Sequence, residues 1–158
     1  MIHRITRTLT LASFLIASAV PVASSAPPAD RNHKIVDGVE IYLGILSAET
    51  MRAEYAKGRK ESAMHGGIPA GPDYYHVNVT LFDTRAKVQI RNAEVEVRVE
   101  QVGGRSELKK LEPTTINNTV SYGDYVRMGG KNPYWITVQI QRPGSARKIQ
   151  ARFEHRNY

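Results

Sequence analysis

Four side chains of this sequence carry donor atoms that suit a soft metal: Met51, Met64, His65 and His76. Imidazole and thioether groups together suit copper in its reduced state, and such a set needs no thiolate. Met64-His65 lies in a run rich in glycine and proline, GRKESAMHGGIPAGPD over residues 58–73, and His76 follows within the next segment. A loop of that composition could fold His65 back beside His76, with Met51 supplied from the segment before it. The plainer reading is that both methionines pack and both histidines are surface polar groups, since two His and two Met at this spacing form no tight motif.

Other chemistries have less behind them. The chain contains no cysteine, which excludes thiol catalysis, iron–sulfur clusters and cysteine-based zinc sites. Asp73 or Asp83 with His76 would be the nearest thing to a hydrolytic pair. However, Ser62, Ser106 and Ser121 lack a nucleophile-elbow context, and no H-E-x-x-H occurs. Glu94, Glu96 and Glu100 alternate with Arg98 along one strand and read as a solvated face. The expectation is a protein that is not an enzyme.

The elements that must position these donors are strands. In YYHVNVTLFD, Val77, Val79 and Leu81 fall on one face. In EVEVRVEQV, Val95, Val97 and Val99 do the same. Strict alternation marks strands with one buried and one wet face, and it puts His76 opposite the core set, facing solvent or the loop. Residues 35–46 (IVDGVEIYLGIL) read as a first strand. Ser47 caps a short helix through AETMRAEYAK, with Glu49 in its first turn. Later strands are expected near 106–112, 119–128, 134–142 and 146–155, separated by Gly103-Gly104, Asn117-Asn118, the loop 129–133 and Pro143-Gly144-Ser145. In YWITVQIQ the core set is Tyr134, Ile136, Val138 and Ile140, which leaves Trp135 outside. The expected fold is all-β: an immunoglobulin-like antiparallel sandwich of about seven strands, with one short helix after the first strand.

Residues 1–25 read as a secretory signal peptide, with Arg4 and Arg7 before an uncharged apolar run and small residues after it. Residues 26–34 form a linker and 35–158 the sandwich domain. The expected location is periplasmic or secreted, with no transmembrane segment after cleavage. The full 158-residue chain carries a net +7; without Arg4 and Arg7 it carries +5. Arg142, Arg147, Lys148 and Arg152 gather in the last hairpin beside Trp135. They offer a second function, a module that binds an envelope protein or a polyanion through these cations and surface tyrosines. No nucleic-acid-binding motif is visible.

The strand ending Leu81-Phe82-Asp83 is followed by Asn92-Ala93-x-Val95-x-Val97 and by Gly123-x-Tyr125, Gly130 and Tyr134-Trp135-x-x-Val138. Over residues 74–142 this pattern resembles the FixH-like and YtkA-like group of exported bacterial immunoglobulin-fold domains. The resemblance implies a sandwich fold and an association with metal handling or respiratory assembly at the cell envelope. The Met64-His65 loop lies outside the shared pattern.

Overall fold

A computed structural model describes residues 31–56 and 66–157. The signal and most of the linker, together with Met64 and His65, lie outside the described residues. Eight strands and one helix occur in the order β1 (His33–Val36), β2 (Val39–Ser47), α1 (Ala48–Ala56), β3 (Tyr74–Asp83), β4 (Glu94–Gln101), β5 (Ser106–Ile116), β6 (Thr119–Arg127), β7 (Tyr134–Gln141) and β8 (Lys148–His155). All pairings are antiparallel. The strand order is β1-β2-β3-β6-β5-β4-β7-β8.

This continuous order folds into two layers because β5 belongs to both. Ser106–Leu111 pairs with β4, and Glu112–Ile116 pairs with β6. Leu111, the last residue before the switch, is buried in the core. Val39, Ile41, Val77, Val79 and Leu81 of one layer meet Val95, Val97, Ile136, Val138, Ile140 and Phe153 of the other. Each such Val, Leu or Ile contributes about 1.5–3 kcal/mol relative to exposure. The expected core faces of β3, β4 and β7 are the observed ones, and Trp135 lies outside, half-buried.

The single strand expected over 35–46 is in fact a hairpin. Asp37 and Gly38 sit at φ 50° and 77°, the left-handed region that a two-residue hairpin turn demands, and Val36 pairs with Val39 across it. The described residues therefore form eight strands, and the helix follows the second of them. Asn117 and Asn118, at φ 48° and 63°, make the same kind of turn between β5 and β6.

The α1 helix begins where expected. Ser47 Oγ accepts a hydrogen bond from the Thr50 backbone N–H at 3.0 Å, satisfying one of the donors left free at a helix start. Ser47→Ala should cost about 1 kcal/mol, read as a lower urea midpoint with unchanged slope; an unchanged midpoint would show that the cap contributes nothing. No helix among the described residues is long and apolar enough to cross a membrane.

Candidate functional site

His76 lies on the outer face of β3, in a row with Leu46 of β2 and Tyr125 of β6. It is 7% exposed and, tyrosines aside, is the one polar or charged side chain buried among the described residues. Of the two expected surroundings for its ring, solvent or the loop, this burial excludes solvent. The strand alternation was read properly, but the outer face is covered here. The ring lies diagonally across β6 over Gly123, so close that a Cβ on Gly123 would stand 2.9 Å from His76 Nε2. A glycine inside a strand often marks such an approach. The Tyr125 ring flanks the imidazole, with centroids 5.0 Å apart and planes inclined at 57°.

Packed on β2 and β3, α1 brings Arg52 and Tyr55 within electrostatic range of Tyr125. Burial, with smaller upward contributions from Tyr55 and Asp124 and an opposing one from Arg52, pushes the Tyr125 phenol up to about 12, so it stays protonated and able to donate. Arg52 Nη1 donates to the Pro69 carbonyl at 2.6 Å, tying the glycine-rich loop to the helix. The chain leaves α1 at Ala56 and is described again from Gly66, the residue after His65. Met51 is half-buried on α1. Among the described residues, no three His, Asp, Glu or Cys side chains converge into a metal site.

The cations of the last hairpin are held by the fold itself. Arg142 pairs with Asp83 at 3.0 Å, Arg147 with Asp37 at 3.0 Å, and Lys148 with Glu96 at 3.2 Å. The Arg152 guanidinium stacks over the Trp135 ring at 4.3 Å. Asp83 also accepts the Ala86 and Arg85 backbone N–H groups. These two bonds, with Arg142 behind them, hold its carboxyl below the usual range. Asp73, the other carboxylate considered with His76, is engaged by Arg127 at 3.3 Å.

Sequence reasoning named Gly123 and Tyr125 only within a fold pattern and passed over Arg52, though the mid-strand glycine was a usable signal of a close approach. It also missed a groove of about 1130 Å³ between the edge strands β1 and β8, lined by residues including His33, Lys34, Trp135, Arg152, Phe153 and Arg156.

No protein-family model matches the sequence, and no curated protein matches it at a significant level. Solved structures do share its fold. A DUF4426 family protein from Pseudomonas aeruginosa superposes with a TM-score of 0.57 at 8% identity, over 80% of this chain and 96% of that one. FetP of uropathogenic E. coli, expressed recombinantly in the periplasm, gives 0.59 at 14% identity, over 79% and 91%. Copper-reconstituted P19 from Campylobacter jejuni gives 0.59 at 13% identity, over 78% and 91%. At these identities the likeness is one of fold.

Proposed function

We propose that this chain is an exported, non-enzymatic accessory of the bacterial envelope that binds copper through His76, His65, Met64 and Met51. The observation that carries the reading is the buried imidazole of His76, which lies beside Tyr125 and belongs to β3, a strand that α1 packs against. The helix bearing Met51 and the loop that follows Met64-His65 are tied together by Arg52 and Pro69, and Arg52 and Tyr55 of that helix act on Tyr125, the ring beside His76. A neutral imidazole keeps one ring lone pair for a metal while its N–H makes a hydrogen bond. The donor types fit Cu(I). Copper-bound forms of FetP and P19 on the same fold support the choice of metal. The N-terminal basic and apolar pattern supports export, and the likeness of residues 74–142 to FixH-like and YtkA-like domains points the same way.

Titration of the mature protein with Cu(I) against a competing chelator tests this. Met64→Leu combined with His65→Ala should weaken binding by about tenfold or more, while His33→Ala, at a different corner of the sandwich, should leave it unchanged. Equal affinity in the double variant and the parent would overturn the site, as would loss of binding in His33→Ala alone.

A further inference from the structure

The strands β1 and β8 end the strand order, yet they face each other where the two layers meet. Between them runs the groove of about 1130 Å³. It is an open seam in an otherwise continuous eight-stranded array. An unpaired sheet edge presents backbone N–H and C=O groups that another extended chain can pair with, and proteins commonly guard such edges with lysine. Lys34 does so here. Its Nζ crosses the seam from β1 and donates to the backbone carbonyl of Arg152 on β8, where an added strand would place an N–H. The same ammonium lies 5.3 Å from the centroid of the Phe153 ring.

The charge of the seam selects its occupant. Among the described residues, Arg31, Lys34, Arg152 and Arg156 line it against a single carboxylate, Glu154, which Arg156 already holds at 2.7 Å. Trp135 supplies apolar surface between these cations. A second copy of the chain would bring the same positive charge to the same place, so self-association through the seam is disfavoured. We propose that the β1–β8 seam is a docking site for an extended acidic peptide segment of a partner protein. The segment adds to the free edge of β8. One of its backbone N–H groups takes over the Arg152 carbonyl from Lys34, and its alternate acidic side chains pair with the released Lys34 and with Arg152. The copper reading is independent of this site, since neither of its described ligands, His76 and Met51, lines the seam.

Trp135 is the single tryptophan of the chain, so its fluorescence reports on the seam directly. The probes are a peptide of five Glu-Val repeats, a peptide of five Glu-Pro repeats with the same charge but half the backbone donors, a Lys-Val counterpart, and dextran sulfate. The Glu-Val peptide should give a saturable change in Trp135 emission. The Glu-Pro peptide should bind at least about tenfold more weakly, and the Lys-Val peptide should not bind. Lys34→Glu with Arg152→Glu should abolish the Glu-Val response while circular dichroism stays that of the parent. Three results would each overturn the proposal: equal binding of the Glu-Val and Glu-Pro peptides, a response to dextran sulfate alone, or a concentration-dependent change without any peptide. The first two would mean recognition of charge without strand addition, and the third would mean self-association.

Discussion

Gly123→Ala should destabilise the protein by about 1–3 kcal/mol, the usual range for forcing a methyl group into a packed site, and should dislodge His76. A Cβ at this position would meet His76 Nε2 at 2.9 Å, His76 Cε1 at 3.0 Å and the Val77 carbonyl oxygen at 3.2 Å. The carbonyl is fixed by the β3–β6 ladder, so the imidazole must give way. It has little room to do so, being buried and flanked by the Tyr125 ring. Gly44 provides the internal control. It faces Asn78 from β2 as Gly123 does from β6, but its Cβ would meet only Asn78 atoms at 3.7 Å and beyond. Gly44→Ala should therefore be neutral or stabilising, because a strand glycine that nothing approaches only adds freedom to the unfolded chain. Denaturant midpoints give the comparison, and a Gly123→Ala/His76→Ala double variant gives the coupling. Part of the loss should be recovered when the ring is removed, with the Val77 contact remaining. If Gly123→Ala proves as benign as Gly44→Ala, the imidazole does not lie where it is described. In a protein that binds copper through His76, Gly123→Ala should also lower the copper affinity without touching any ligand.

How much of this corner is legible in the sequence depends on how local its causes are. The faces of β3, β4 and β7 follow from alternation within each strand, and so does the placement of His76 opposite Val77. The turn at Asn117-Asn118 and the Ser47 cap are likewise written in a few adjacent residues. The turn at Asp37-Gly38 was equally local, but the apolar residues on either side invited one long strand. The burial of His76 is different in kind. It requires β6 to lie beside β3 in the register that brings Gly123 diagonally under the ring, and those residues are 47 positions apart in the sequence. The sheet switch at Leu111 and the β1–β8 seam are products of closing the whole array, as is the pairing of Arg147 with Asp37. Charge counting along the last hairpin finds a basic cluster. Only the fold shows that acidic partners from β3, β4 and the β1–β2 turn already hold Arg142, Lys148 and Arg147, and that the Arg152 side chain rests on Trp135.

Tyr122→Phe should cost about 2–4 kcal/mol although it removes a single oxygen. Tyr122 is 1% exposed, and its hydroxyl reaches from β6 to the link between β3 and β4, which has only one isolated bridge to a strand. It donates to the Ile90 carbonyl at 3.1 Å and accepts the Ala93 N–H at 3.1 Å. Phenylalanine would keep the packing and leave both backbone groups without this partner, at about 1–3 kcal/mol for each buried group so stranded. Tyr42→Phe is the matched control. Its hydroxyl bonds to Glu40 on the exposed outer face, where water replaces the bond, so it should stay within about 0.5 kcal/mol of the parent. Alkaline pH gives a second readout. Burial raises the Tyr122 phenol above its ordinary value, against the opposing pull of the Ala93 N–H. A raised folded pKa means that the contribution is complete below the unfolded value of about 10 and is lost as pH climbs past it toward the folded one. Tyr125 and Tyr134 are raised in the same direction, chiefly by burial. The parent should therefore lose stability above about pH 10, and Tyr122→Phe should lose less of its own over that interval. Equal slopes in the two proteins, or a neutral midpoint for Tyr122→Phe at pH 7, would mean that the Tyr122 hydroxyl does not help to hold the β3–β4 link, which Gln89 also ties to Val120.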